Sequence, residues 1–203
     1  MTGVQTCALP ICGVADNFWG PTGNQGPCGP SVEVYIDDLE VGTLVFNEYF
    51  CSGSRELLLS GRARLEKLAK PGVDVGLGLE RLLVKVNNLS SIYETDLLKP
   101  LMDLLPSDLN NRSRRVVADH ARGVAFLITD GVRPSNRGAD YILRRLLRRL
   151  FVNENIGNSN LAPIFRSVVD IYDGVYPELK TDTIQGVWNE ELKKFSKIGR
   201  AHV

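Results

Sequence analysis

The sequence predicts an α+β fold, with an antiparallel sheet in the first half of the chain and helices in the second. Two observations carry that expectation. Val32, Val34 and Ile36 alternate with Glu33, Tyr35 and Asp37, the period of a half-buried strand, and further strand-like segments follow at short intervals without helices between them. After Ser90 the apolar spacing changes: Val117, Ala121, Val124 and Ile128 fall on one face of a helix.

Taken in order, Trp19 to Ser31 is punctuated by Gly20, Gly23, Gly26 and Gly29. Four triplets cannot sustain a collagen helix, so the segment reads as a rigid loop that lets backbone approach a ligand. The strand Val32–Ile36 follows, then a second over about Glu40–Tyr49, and a hairpin-like segment with Leu57–Leu59 after the Ser52-Gly53-Ser54 turn. Pro71-Gly72 introduces a strand over Val73–Leu77, which passes into a helix near Glu80–Asn87. The Val117 helix should stop at Gly131, with Pro134 beyond it. In the next helix Ile142, Leu143, Leu146, Leu147, Leu150 and Phe151 form one stripe and Arg144, Arg145, Arg148 and Arg149 the opposite one, with Asp140 as N-cap. Residues 153–160 read as a polar loop and 161–197 as further helix.

Composition narrows the function classes. With 43% apolar and 24% charged residues the chain is ordinary globular protein, and no apolar run is long enough to span a bilayer. There is no basic, apolar-core leader pattern, and four Cys without metal-ligand spacing argue for a reducing, cytoplasmic location. The 24 basic and 24 acidic residues cancel overall but are unevenly placed. Residues 1–54 hold six acids and no Lys or Arg, whereas residues 112–149 hold ten Arg against three Asp. Arg presents a planar fork suited to phosphates and base edges, so this block points either to a polyanionic partner or to a solvated face with local ion pairs. Four arginines on one helical face repel one another unless something anionic meets them, which favours nucleic acid.

The two ends read differently from the rest. Thr6–Ile11 and Ile198–Val203 can be encoded on opposite strands of one DNA sequence, and both resemble a translated sequencing adapter, a match that extends back through Met1–Gln5. Residues 1–12 and 198–203 are therefore expected to be non-native and are set aside, which removes Cys7 and His202 from any chemistry.

Gly76-Leu-Gly78-Leu-Glu80-Arg81 lies between a strand and a helix, where phosphate-binding loops occur, but it lacks both the dinucleotide fingerprint and the Gly-Lys-Ser/Thr of a P-loop. Glycines there allow close ligand approach, and an Arg in the first helical turn can reach a phosphate or stack on a base. Asp74, on the strand leading in, suits a substrate ammonium or is an ordinary edge carboxylate.

These residues belong to a longer ordered set: Asp16–Trp19, Gly26-Pro-Cys-Gly-Pro30 with Glu33, Val73–Arg81, Ala118-Asp-His120, Asp130-Gly131, and Pro134-Ser-Asn136 followed by Tyr141–Arg145. Together they resemble the alanyl-tRNA synthetases, a class II family. The resemblance implies the later part of a class II antiparallel catalytic domain over 13–88, with motif 3, and a helical tRNA-recognition region over 89–197. It implies ATP-dependent activation of L-alanine to alanyl-adenylate and transfer to alanine tRNA, with Mg²⁺ accompanying ATP. Arg81 takes the catalytic role of the motif 3 arginine, and Gly76, Gly78 and Arg81 contact ATP. Asp74 holds the alanine ammonium, Trp19 and Val45 wall its small pocket, and Gly76 and Thr43 border it. Asn136 stands where the family reads a G·U pair of the acceptor stem, with Arg144, Arg145, Arg148 and Arg149 as phosphate contacts beside it. No metal ligand is assigned.

Departures from the family pattern accompany this. Gly42-Thr43 replaces Trp-Asn, which should leave a void at Gly42; Ser31 replaces Cys; and Ala139-Asp140 replaces Arg-Gly. Motifs 1 and 2 are expected upstream of residue 14, so the chain alone should not form the adenylate. Two other readings stay open, an RNA-binding module without catalysis and a degenerate paralogue with a lost alanine site.

Overall fold

Four strands, β1 (Phe18–Trp19), β2 (Gly26–Ile36), β3 (Leu39–Cys51) and β4 (Leu65–Leu77), pair antiparallel in the order β1-β2-β3-β4. They belong to a computed structural model that describes residue 15, residues 17–152 and residues 161–200. The chain divides into two compact units at Ile92 and Tyr93, the first built on this sheet and the second on helices.

The alternation at 32–36 is the end of a longer strand. The Gly-rich segment expected to be loop joins β2 from Gly26 onward, because β1 gives Gly29 and Pro30 partners: Trp19 pairs with Gly29 and Phe18 with Pro30. The β2–β3 register slips between Cys28 and Ser31, and this bulge turns Gly29-Pro30 toward β1. Gly29 is obligatory there, since a Cβ would sit 1.7 Å from the Phe46 carbonyl oxygen. Ile36 pairs with Leu39 across a two-residue turn whose first residue, Asp37, takes φ +53°, a left-handed conformation that Asp tolerates. β4 begins at Leu65, eight residues before the expected Val73, and Pro71 lies in a register irregularity where its missing N–H costs no ladder bond.

Leu57–Leu59 belong to a short helix, α1 (Arg55–Leu59), not to a hairpin. Three successive leucines have no period-two pattern, and the preceding turn delivers Ser54 as N-cap. Arg55 anchors this corner by donating from Nη1 to the carbonyls of Phe18 (2.6 Å) and Gly20 (2.9 Å). After β4 comes α2 (Leu79–Val86), capped by Gly78, whose N–H donates to the Val41 carbonyl at 2.9 Å.

The second unit follows a 3-10 turn at Ile92–Glu94. It contains α3 (Lys99–Asp103), α4 (Asn111–Thr129), α5 (Gly138–Val152), α6 (Ala162–Tyr172) and α7 (Thr181–Arg200). α4 is the central helix: Val117, Ala121, Val124 and Ile128 are all buried, as their spacing requires. Asn110 caps it by accepting from the Ser113 N–H at 2.8 Å, and Gly131, at φ +87°, ends it. Leu143, Leu147, Leu150 and Phe151 of α5 are buried, and the Trp188 ring lies 4.6 Å from that of Phe151 and 5.5 Å from that of Phe165. Ile142, expected in that stripe, lies on its margin and is half exposed. Asp140 is not the N-cap. α5 starts two residues earlier at Gly138, in the left-handed conformation open to glycine, and Asp140 instead accepts from the Ser135 hydroxyl at 3.2 Å. The expected polar loop 153–160 and the first adapter-like segment lie outside the described residues, while the helical backbone of α7 continues through Ile198–Arg200.

Candidate functional site

The β3–β4 register decides which candidate residues share a face. Val45 pairs with Asp74 and Thr43 with Gly76, while Ser31 and Glu33 of β2 pair with Val45 and Thr43 from the other side. Side chains opposite one another in an antiparallel pair point the same way, so Thr43, Val45, Asp74 and Gly76 lie on one face of the sheet. Val45 is buried, Asp74 and Gly76 are exposed, and a Cβ on Gly76 would meet nothing within 4 Å. A buried apolar wall, an exposed carboxylate and an open backbone position therefore stand side by side.

Arg81, in the first turn of α2, reaches this corner through Glu40. Its Nη1 donates to the Glu40 carbonyl at 3.1 Å and to Oε2 at 3.0 Å, while Oε1 of the same carboxylate accepts from the Thr43 hydroxyl at 3.0 Å. Glu40 is thus a residue that sequence reasoning missed. Its signal was sequence distance: a carboxylate 41 residues before the arginine becomes its neighbour only once β3 and β4 pair. Trp19 stands on β1, about two-fifths exposed, and its neighbour Phe18 stacks on Tyr49 of β3 with ring centroids 6.4 Å apart.

Gly42 does not leave a void. A Cβ there would lie 2.5 Å from Leu77 Cδ2 and 2.9 Å from the Gly76 carbonyl oxygen, so Leu77 already occupies the space that a larger residue would take. On the same face as Leu77, Val73 and Val75 are more than half exposed along an edge strand. Cys28 and Cys51 are buried free thiols; burial, and then the neighbouring Cys51, pushes the Cys28 thiol up. Among the described residues no cluster of three or more His, Cys, Asp or Glu is placed to hold a metal ion.

In the helical unit the arginine row of α5 splits. Arg145 and Arg149 are exposed. Arg144 and Arg148 turn toward α7 and Glu191, which is 2% exposed: their Nε atoms lie 3.2 and 3.8 Å from its Oε1. Neither N–H is aligned for a hydrogen bond, so these contacts are ion pairs held by charge. Arg144 also donates from Nη1 to Asn136 Oδ1. Glu191 and Lys194 line a cavity of about 440 Å³ between α7 and Arg133-Pro134. On α4, the Asp119 carboxylate accepts from His120 Nδ1 at 3.1 Å, and this bond foremost holds the Asp119 carboxyl below its usual range.

The family model "tRNA synthetases class II (A)" matches residues 1–199. Alanine–tRNA ligases from Rubrobacter xylanophilus and Nitrosomonas europaea are each 34% identical over 91% and 96% of this chain, and that from Legionella pneumophila is 33% identical over 92%. The chain belongs to the alanine-type class II tRNA synthetase family. It spans about a quarter of the length of the curated relatives it matches. Among the described residues no helix is long and apolar enough to cross a membrane.

Proposed function

We propose that this chain is the part of an alanine–tRNA ligase that forms the alanine pocket and third ATP-contacting motif, followed by a helical region that meets the tRNA. The observation that carries this reading is the β3–β4 register, which sets the Asp74 carboxylate beside the buried Val45 and the open backbone of Gly76. Asp74 pairs with the substrate ammonium, Val45 and Trp19 limit the side chain, and Gly76 lets the substrate approach the backbone. Such a pocket separates methyl from larger groups by exclusion but rejects a hydroxyl poorly. Thr43 spends its proton on Glu40 and keeps lone pairs for an incoming donor.

Arg81, held by Glu40 at one nitrogen, acts on ATP by positioning and by neutralising phosphate charge, with Gly76 and Gly78 giving the nucleotide room. The described residues hold no acidic cluster fit for Mg²⁺, which would travel with the ATP phosphates. In the helical region Asn136 and the exposed Arg145 and Arg149 face the acceptor stem, Arg144 and Arg148 backing them. The compartment this reading assigns is the cytoplasm.

The test is an amide NMR titration of the 203-residue chain with L-alanine. The expected result is saturable shifts at Val45, Asp74 and Gly76 that D-alanine does not produce and that Asp74→Asn removes. No saturable shift at these residues would overturn the pocket assignment. Alanine-dependent ATP–pyrophosphate exchange by this chain alone would show that it is more than a partial site. Salt-dependent RNA binding with no alanine response would instead indicate an RNA-binding module without catalysis.

A further inference from the structure

Glu191 is the most deeply buried charge among the described residues, and it lies against the arginine row of α5. Its surroundings are cationic: Arg144 and Arg148 approach Oε1, Lys194 Nζ lies 4.0 Å from Oε2, and Arg148 also covers the Phe195 ring at 5.8 Å. As a stability device the cluster is poor. Glu191 Oε1, Arg144 Nε, and Arg148 Nε and Nη2 are all buried without a hydrogen-bond partner, and apolar residues of similar volume would fill that space at least as well. What the carboxylate does achieve is orientation. It draws two arginines, one helical turn apart, away from their exposed neighbours Arg145 and Arg149 and onto α7.

The orientation is passed on. Arg144, held through Nε, donates from Nη1 to Asn136 Oδ1. A guanidinium carries only donors, so the amide must turn its oxygen to Arg144, and the Nδ2 amino group is left as the group that Asn136 presents. Asn136 itself is exposed. Without Arg144 the amide could turn either group outward, so it would no longer discriminate a donor from an acceptor on a base edge.

We infer that Glu191 is a positioning residue: through Arg144 it fixes the Asn136 amide as a hydrogen-bond donor aimed at an acceptor atom on a base edge of double-stranded RNA. The RNA half of this inference rests on the proposed tRNA-facing role of Asn136. The positioning half is a property of the free chain.

Two measurements on the 203-residue chain separate them. The first is the side-chain ¹H–¹⁵N amide pair of Asn136 with the Nε–H signal of Arg144, recorded without RNA. In the native chain the Asn136 pair should be shifted from free-amide positions and the Arg144 signal visible at neutral pH. Glu191→Gln should collapse the first and broaden the second while α4 core amides stay put, and Glu191→Asp should restore them in part. Arg144→Lys keeps the charge but cannot bridge both partners, so it should collapse the Asn136 pair even if Glu191→Gln fails to fold. The second measurement is the affinity ratio for a short RNA hairpin carrying a G·U pair against the same hairpin with G·C. A base contact is worth about five- to hundredfold in discrimination. Glu191→Gln and Asn136→Ala should bring the ratio near one, while the Glu191 variant binds both hairpins no more weakly than the weaker native complex. Unchanged Asn136 and Arg144 signals in folded Glu191→Gln and Arg144→Lys would overturn the positioning role. Collapsed signals in a chain that never discriminated the hairpins would keep the positioning and overturn the RNA-reading role of Asn136.

Discussion

Gly29→Ala tests the bulge that brings β1 onto β2. An added Cβ would lie 1.7 Å from the Phe46 carbonyl oxygen, 2.8 Å from its carbon and 3.0 Å from the Glu48 nitrogen, all backbone. Real Cβ contacts do not fall below 3.0 Å, so β2 and β3 must separate by about 1.3 Å at this point. A ladder bond near 2.9 Å does not survive that stretch. The pairs at risk are those flanking the bulge, Cys28 with Tyr49 and Ser31 with Val45. Losing about two bonds at ~1 kcal/mol each, with ~1–3 kcal/mol for a buried group left unpaired, outweighs the ~0.4–1 kcal/mol that Ala gains by restricting the unfolded chain. The net cost should be about 2–4 kcal/mol. Urea unfolding followed by hydrogen exchange of peptides covering 26–51 measures it, with peptides from α6 and α7 as the internal reference. Gly72→Ala, where a Cβ meets nothing within 4 Å, is the control and should change stability by under about 1 kcal/mol. If Gly29→Ala matches that control, the close approach of β2 to β3 is wrong.

Gly76→Ala should leave the thermal midpoint almost unchanged, because its Cβ enters open space, yet abolish the L-alanine shifts by filling the position beside Asp74; retained shifts would move the pocket elsewhere. Replacing both Arg145 and Arg149 by Gln should lower the slope of log affinity for duplex RNA against log salt by about 2, one for each lost phosphate contact, with stability unaltered; an unchanged slope means that neither touches RNA. Asp119 has a folded-state pKa below its ordinary 3.8, first through its bond with His120, so its contribution is complete above the unfolded value and is lost as pH falls through the folded one. Asp119→Asn should therefore flatten the acid limb of helical stability below about pH 4, read by circular dichroism, and an acid limb identical to the native one would show that the bond contributes nothing.

The elements most legible in the sequence were those whose period matched their burial. Val117, Ala121, Val124 and Ile128 gave α4 because one face of that helix meets its neighbours all along its length. β4 was legible only over Val73–Leu77, because it is an edge strand exposed on both faces and no burial pattern marks Leu65–Lys70. The Gly26–Pro30 segment carried loop chemistry yet forms strand, since its partner is a two-residue strand that leaves no periodic trace. The candidate residues were picked by type, and the register sets Asp74, Val45, Thr43 and Gly76 on one face. Glu40 and Glu191 were not, because each acts across tens of residues on an arginine, and only tertiary pairing creates the contact.

The arginine block shows why composition overstates a binding surface. Ten arginines against three acids over 112–149 suggest one cationic face, but each charge has to be placed before it counts. Arg114 donates to the Met102 carbonyl at 2.7 Å, Arg122 to the Tyr172 hydroxyl at 3.3 Å, and Arg133 to the Ile128 and Val132 carbonyls, so these three brace helix ends and helix pairs. Arg115 lies over the Tyr93 ring at 5.1 Å, and Arg144 and Arg148 are matched to Glu191, an acid more than forty residues later that the local count omits. The exposed arginines are Arg112, Arg137, Arg145 and Arg149, together with Arg115 and Arg133, whose guanidinium groups also make the contacts just named. A phosphate contact requires a charge that water and salt can reach, so the salt dependence of RNA binding should report about six contacts at most, not ten. The block is thus two things at once: an internal set of forks that fixes helices and one amide, and a small external set able to meet a polyanion. The charge excess measures their sum, whereas a polyanion can meet only the arginines that solvent reaches.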